Sequence, residues 1–216
     1  VAIGYRAFEL NQTQNNTVAV GWYALRESVS GGSNTALGHY TLTRTTTGAS
    51  NTAVGYNAMY ANTTGHDNVA VGYAALDANT TGLRNTAVGD QSLTSNIDGE
   101  YNIAVGHKAM ELNTIGRRST AVGAFALEAN TTGDENTALG KSALGYNVSG
   151  NSNTALGRSA LSANLASNNT AVGNAALGAN TTGSENTALG YSALEKNTTG
   201  ASNTATGAYA LEENTT

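Results

Sequence analysis

A 17-residue repeat runs through the whole chain and limits the folds open to it more than any other feature. Each unit contains a glycine that ends an AVG- or ALG-type motif, as in "NTAVGYNAMYANTTG" at 51–65. These corner glycines are 17 residues apart from Gly4 to Gly157 and from Gly173 to Gly207, and only Gly157 and Gly173 are 16 apart. A fixed short period is typical of a solenoid, whose units gain a core by stacking on one another. The sequence therefore predicts thirteen 17-residue coils in one repeat domain, 1–216.

Three columns of the consensus NTAVGxxALxxNTTGxx tolerate little variation. The residue two before each corner glycine is alanine in every unit, and the residue four after it is always Leu, Met or Phe. The residue just before the glycine is Val, Leu or Ile except at Thr206. Apolar residues that keep one phase over many repeats indicate a packed interior, so we expect all three columns to be covered.

The repeat composition favours strands over helices. The units contain glycines and β-branched residues, and no uninterrupted stretch reaches the roughly 12 residues that an independent helix needs. We predict an all-β parallel β-solenoid (β-roll) with two short strands per coil, the first over NTAV and the second through AL. The corner glycine separates them, and NTTG closes the coil as a turn. The 16-residue interval lies in "NLASNN" (164–169), and we expect this turn to absorb the missing residue without shifting strand register.

Two asparagine columns would form ladders between stacked coils, with each side-chain amide bonding to the coils above and below. One column lies four residues before the corner glycine: Asn34, Asn51, Asn68, Asn85, Asn102, Asn136, Asn153, Asn169, Asn186 and Asn203. The other lies in the turn: Asn62, Asn79, Asn113, Asn130, Asn180 and Asn197. We interpret both as structural.

The invariant alanine indicates an oligomer. Neighbouring side chains of a strand point to opposite faces, so the alanine and the branched residue beside it cannot both lie inside the coil. Because a 17-residue coil holds little apolar volume, we predict that a second chain packs on the alanine side. The predicted interface residues are Ala87, Ala104, Ala121 and Ala138.

Composition excludes several classes of partner. Ten Lys and Arg against 15 Asp and Glu, scattered without runs, leave no basic face for nucleic acid. No apolar run approaches the roughly 18 residues that a membrane span requires, so we expect no membrane insertion of this segment. The opening "VAIGYRAFEL" begins inside a repeat, which suggests an excerpt of a longer fibre. The absence of cysteine fits an extracellular fibre and a cytosolic protein equally well.

The motifs "NVAVG", "NTAVG", "NIAVG" and the opening "VAIG" resemble the head repeats of YadA-like trimeric autotransporter adhesins. Their NSVAIG-type units form a left-handed parallel β-roll with three chains about one axis. The longer unit with its "ALxxNTTG" arm also resembles the shaft repeats of phage-type tail fibres. The resemblance implies an intertwined or side-by-side homotrimer, an extracellular location on a cell surface or virion, and an adhesive or spacer role. It carries over no binding residues, because the shared motif is structural.

No catalytic or metal-binding constellation is apparent. His39 and His107 share a coil position but lie four coils apart, and Asp67, Asp90 and Asp134 are scattered over separate coils. We therefore predict no enzyme activity, no metal site and no cofactor.

Aromatic residues gather in the early coils, just after the corner glycine. Stacked rings on a regular face are what a glycan-binding strip would need, while tighter packing between coils is the simpler explanation. The candidate glycan or receptor contacts are Tyr5, Trp22, Tyr23, Tyr40, Tyr56 and Tyr73.

Two functions remain open. The first is a structural and adhesive fibre segment, a rigid trimeric stalk or head that contacts a glycan or protein receptor. The second is an ice-binding solenoid, suggested by regularly spaced threonines: Thr35, Thr52, Thr86, Thr137, Thr154 and Thr187. Val18, Val69 and Ile103 interrupt that column, and a second outward threonine two residues away is missing.

Overall fold

The computed structural model describes residues 1–10 and 14–216 and contains one parallel sheet. Thirteen short strands follow one another in chain order, which confirms the all-β parallel β-solenoid. The strands are β1 (Ala2–Ile3), β2 (Val18–Val20), β3 (Thr35–Leu37), β4 (Thr52–Val54), β5 (Val69–Val71), β6 (Thr86–Val88), β7 (Ile103–Val105), β8 (Thr120–Val122), β9 (Thr137–Leu139), β10 (Thr154–Leu156), β11 (Thr170–Val172), β12 (Thr187–Leu189) and β13 (Thr204–Thr206).

The chain forms two compact units, Val1–Lys108 and Ala109–Thr216. In the first unit, strand register aligns alanine with alanine, as at Ala53 and Ala70. The second unit repeats this register, as at Ala138 and Ala155. Residues at the same position of successive repeats therefore stack in columns within each unit, as the 17-residue period predicts.

The alanine column faces the inside of the chain's own coils, so its predicted role as an interface is wrong. Ala87, Ala104, Ala121 and Ala138 are all 0% exposed in the single chain. The threonine column lies three residues before each corner glycine, and the valine column lies one residue before it. Strand alternation places both columns on the opposite, outward face. The small alanine fits inside because the coil interior is narrow and already holds the large apolar column.

That large apolar column is buried as predicted. The leucines and methionines four residues after the corner glycine are 0% exposed from Leu25 to Leu194, and a second alanine lies beside most of them. Only Phe8 and Leu211, in the terminal coils, are partly exposed. The residue just before the glycine departs from the expectation of a covered column, since Leu37 is 49% exposed and Leu189 is 47% exposed.

The predicted second strand is absent among the described residues, and consecutive turns replace it. Residues two and four after each corner glycine have positive φ, with Ser142 at 56° and Leu144 at 52° in one coil. Their amides still bond to neighbouring coils: Ser142 N–H donates to the Ala124 carbonyl and Leu144 N–H to the Ala160 carbonyl, both at 3.0 Å. These bonds between coils offset the cost of left-handed backbone at residues other than glycine.

Both asparagine ladders are present and lie inside the coils. In the turn column, Asn130 Nδ2 donates to Asn113 Oδ1 at 2.8 Å and to the Gly133 carbonyl at 3.0 Å. The other column bonds mainly to backbone: Asn169 Oδ1 accepts from the Asn186 backbone N–H at 2.9 Å, and Asn186 Nδ2 donates to the Gly200 carbonyl at 2.7 Å. Asn96, Asn147 and Asn164 also belong to the turn column.

The shortened coil keeps strand register, as predicted. Ala155 pairs with Ala171 across the 16-residue interval. The turn after Asn164 is one residue tighter, since Asn164 Nδ2 bonds to the carbonyl of Ala166, two residues on, at 2.7 Å. Asn180 Nδ2 donates to Asn164 Oδ1 at 2.8 Å, so the ladder continues through this coil.

Candidate functional site

The first aromatic column lies one residue after the corner glycine and runs along the first unit. Parallel rings stack from coil to coil: Trp22 and His39 at 6.0 Å, His39 and Tyr56 at 5.5 Å, and Tyr56 and Tyr73 at 5.6 Å between centroids. Tyr5 lies at 4.5 Å from Trp22 with a 32° tilt. The structure thus brings four predicted aromatics together and adds His39, whose ring completes the stack.

The second aromatic column, two residues after the glycine, contains the other two predicted residues. Tyr23 and Tyr40 stack at 5.6 Å with an 8° angle between ring planes. The stack ends there because the next residue in the column is Asn57. One face of Tyr40 therefore has no aromatic residue of its own column beyond it.

A cleft opens beside Tyr40, which we call the tyrosine cleft. Its volume is about 410 Å³, and its lining residues are Tyr23, Arg26, Tyr40, Tyr56, Asn57 and Tyr60. Tyr56 and Tyr60 both stand at 86° to the Tyr40 ring, with centroids 6.3 and 6.2 Å away. A cleft of this volume lies within the range of small-molecule sites, roughly 300 to 1,000 Å³.

The sequence alone did not indicate Arg26, Asn57 or Tyr60 as site residues. Arg26 and Tyr60 lie five residues after their corner glycines, in a column that otherwise holds varied residues. Only their position in the repeat could have indicated them. Residues five after the corner glycine and residues two after it line the same cleft in successive coils. Thr43, between Arg26 and Tyr60 in that column, is buried and donates to the Tyr23 carbonyl at 3.0 Å.

Arg26 lines the cleft, Arg6 and Arg44 lie beside two of its tyrosines, and each of these arginines has an acid near it. The Arg26 guanidinium lies 5.0 Å from the Tyr23 ring centroid and 3.5 Å from the Glu27 carboxylate. Arg6 pairs with Glu9 at 3.2 Å. Arg44 lies 4.8 Å from the Tyr60 ring centroid and interacts electrostatically with Asp77. Burial raises the pKa of the Asp77 carboxyl, and Arg44 opposes that shift.

Two polar atoms of the cleft residues have no hydrogen-bond partner. Arg26 Nε and Asn57 Oδ1 are both buried from solvent. The nearest carboxylate oxygen to Arg26 Nε, Glu9 Oε2, is 3.6 Å away, which permits an electrostatic contact but is too long for a hydrogen bond. A buried unpaired donor or acceptor costs roughly 1 to 3 kcal/mol, so each one calls for an explanation.

A second candidate surface is the outward face of the sheet. The threonine and valine columns contain only Thr, Val, Leu and Ile in every coil, without a single charge. In the second unit Leu139 is 44% exposed, Leu156 41% and Leu189 47%. In the first unit Val71 and Ile103 are 37% and 43% exposed. We call these two columns the uncharged sheet face.

Two histidines outside the tyrosine cleft lie beside carboxylates. His66 Nδ1 lies 3.0 Å from Asp67, and His107 Nδ1 lies 3.0 Å from Asp90. Among residues 1–10 and 14–216, no three His, Cys, Asp or Glu side chains are grouped to hold a metal ion. No helix in this part of the chain is long and apolar enough to cross a membrane.

Comparison of the chain with protein-family models, with curated proteins and with solved structures found no match.

Proposed function

We propose that this chain is a structural and adhesive segment of an extracellular fibre, belonging to a cell-surface adhesin or a tail fibre, and that three copies assemble through the uncharged sheet face. One observation carries the proposal: a face made only of Thr, Val, Leu and Ile in every coil leaves leucines more than 40% exposed in the single chain. Exposed apolar side chains that recur along an uncharged face are typical of an interaction site.

A second copy of the same chain is the occupant that fits this face. Within each unit the face repeats at the coil spacing, so a partner that covers successive coils must present apolar groups with the same spacing. A copy of this chain does so by construction, and symmetric assembly of identical chains is the common form of soluble oligomers. The number three comes from the resemblance of the "NVAVG" and "NIAVG" motifs to trimeric adhesin head repeats.

The receptor-contact role rests on the aromatic columns of the first unit. Tyr5, Trp22, Tyr56 and Tyr73 are 44–54% exposed and lie after the corner glycine, outside the two columns of the uncharged sheet face. Assembly through that face would leave these rings accessible. A fibre that joins copies along one surface and presents aromatic rings on another combines support with adhesion.

Disulfide cross-linking tests this assembly directly, because the chain has no cysteine of its own. Thr154→Cys and Leu156→Cys place one thiol in each outward column of β10. We expect at least one variant to form disulfide-linked dimers under mild oxidation, since equivalent residues near a symmetry axis approach one another. Thr182→Cys, at an exposed turn position, is the matched control. Cross-linking no stronger than in this control would refute the proposed interface.

The ice-binding alternative gains one observation from the second unit. Six consecutive threonines occupy the outward threonine column: Thr120, Thr137, Thr154, Thr170, Thr187 and Thr204. The neighbouring column holds Val and Leu except at Thr206, so threonines match a lattice in one direction only. Thermal hysteresis distinguishes the two functions: the fibre proposal predicts none, and a clear freezing-point gap would favour ice binding.

A further inference from the structure

We propose that the tyrosine cleft is a binding site for a neutral saccharide. This inference deepens the receptor-contact part of the proposed function, but it does not depend on assembly, because all six lining residues belong to one chain. It also moves the expected contact from the stacked strip as a whole to one defined place, between the second and fourth coils.

The rings of the cleft are arranged to hold a flat apolar surface. Tyr40 stacks on Tyr23 with one face and turns the other toward the point where its column ends at Asn57. Tyr56 and Tyr60, both nearly perpendicular to Tyr40, form walls beside it. The carbon-bound hydrogens of a pyranose ring suit the electron-rich face of such a ring. In the first aromatic column, by contrast, the inner rings meet other rings on both sides.

The two unpaired polar atoms, Arg26 Nε and Asn57 Oδ1, favour a ligand that carries hydroxyl groups. Arg26 Nε offers a hydrogen and needs an acceptor, whereas Asn57 Oδ1 offers lone pairs and needs a donor. A sugar hydroxyl serves as donor and acceptor, so one pyranose edge can satisfy both. Both side chains line the cleft, so a rotation of each on binding would bring these atoms to the sugar and remove the cost that the free chain carries.

The charges around the cleft favour a neutral sugar over an acidic one. Arg26 already faces two carboxylates, with Glu9 at 3.6 Å and Glu27 at 3.5 Å. A sialic or uronic acid would have to displace these carboxylates or accept repulsion from them. A neutral sugar carries no charge for these carboxylates to repel.

A proline-rich peptide is the main competing ligand for an aromatic groove. Such a peptide presents carbonyl acceptors, but its prolines have no backbone N–H to donate. A run of consecutive prolines could satisfy Arg26 Nε but would bring no backbone N–H to Asn57 Oδ1. The pair of unsatisfied atoms therefore favours the saccharide.

An array of neutral oligosaccharides, their sialylated counterparts and proline-rich peptides tests the proposal with the intact chain. We expect the wild type to bind one or more neutral glycans. Tyr40→Ala and Asn57→Gly should each weaken that binding at least tenfold. Asn57 has φ of 55°, which glycine adopts freely, so this variant removes the amide with little risk to the fold. Tyr191→Ala, at an exposed ring of the second unit, should bind like the wild type.

Three outcomes would overturn the saccharide site. They are binding of no neutral glycan, binding confined to the sialylated sugars or the peptides, and neutral-glycan binding that Asn57→Gly leaves unchanged. Each variant's mass by light scattering, measured in parallel, separates these outcomes from a failure of assembly. A chain that assembles but binds no sugar refutes this site alone, and a monomer that binds sugar refutes only the assembly.

Discussion

The corner glycine combines two obstacles to a side chain, a positive φ and a close approach of the next coil. Gly140 has φ of 136°, and a Cβ added to it would lie 2.6 Å from the Gly157 carbonyl oxygen of the next coil. Gly145 lies in the same coil but has no positive φ, and its added Cβ would come no closer than 3.3 Å to a carbonyl oxygen. Two glycines of one coil therefore meet different constraints.

We predict that Gly140→Ala destabilises the chain by about 1 to 3 kcal/mol through backbone strain alone, with the steric clash adding to it. Gly145→Ala should change stability by less than about 1 kcal/mol, because other coils place Glu128 or Tyr60 at the same position. Urea denaturation of both variants measures the difference. Equal losses would show that the corner conformation does not require glycine.

The Asp77 carboxyl provides a test of burial through pH. Burial raises its folded-state pKa above the ordinary value of 3.8, so the ionised form is less favourable in the folded chain than in the unfolded one. Its destabilising effect is present at neutral pH and disappears as pH falls below the unfolded pKa. We predict that Asp77→Asn raises the thermal midpoint at pH 7 and leaves it close to wild type near pH 3. An equal difference at both pH values would contradict this cause.

At the scale of single columns, the sequence indicated burial correctly wherever only one environment was possible. The leucine column was expected in the interior, since a large apolar side chain repeated in every coil is stabilising only when it is buried. The alanine column was ambiguous, because a small residue fits both a narrow coil interior and a close contact between chains. The direction in which the chain turns at the corner glycine decides between them, and side-chain type does not encode that direction.

Among the repeated elements, the asparagine ladder is the one whose loss should propagate. Asn130 Nδ2 donates to Asn113 Oδ1, and Asn130 Oδ1 accepts from Asn147 Nδ2 at 3.1 Å. Removal of Asn130 would cost its own hydrogen bonds and one hydrogen bond of each of two buried neighbours, Asn113 and Asn147. The loss of stability therefore extends to the coils on either side.

We predict that Asn130→Ala destabilises the chain by about 2 to 4 kcal/mol, because several buried groups lose partners at once. Thr132→Ala, at an exposed position of the same turn, should cost less than about 0.5 kcal/mol. Guanidinium denaturation followed by circular dichroism compares the two. Similar small losses in both variants would mean that the ladder contributes little to stability.

The predicted second strand shows where sequence patterns mislead at the element scale. Alternation of residue types after the corner glycine is equally compatible with a strand and with turns that alternate between right- and left-handed backbone. Leucine and methionine rarely adopt positive φ, so nothing in the sequence favoured the turns. Stacking between coils overrides that local preference, as the bond from Leu144 to Ala160 shows. The tyrosine cleft depends on these turns, which is why only part of its lining was predictable.

For the whole molecule, the central claim is that the uncharged sheet face joins copies of the chain. Charges introduced on this face should prevent association, since a buried lysine without a partner is strongly unfavourable. Leu139→Lys and Leu156→Lys make this change in neighbouring strands. Tyr146→Lys adds the same charge at a side chain that is 70% exposed outside the face, and it serves as the control.

Light scattering coupled to size-exclusion chromatography measures the mass of the assembly independently of its shape. We predict that the wild type and Tyr146→Lys have three times the 21.9 kDa mass of one chain. Leu139→Lys and Leu156→Lys together should shift the mass toward that of the single chain. A wild-type chain that remains at 21.9 kDa at all concentrations, or a trimer unaffected by the two lysines, would contradict the account.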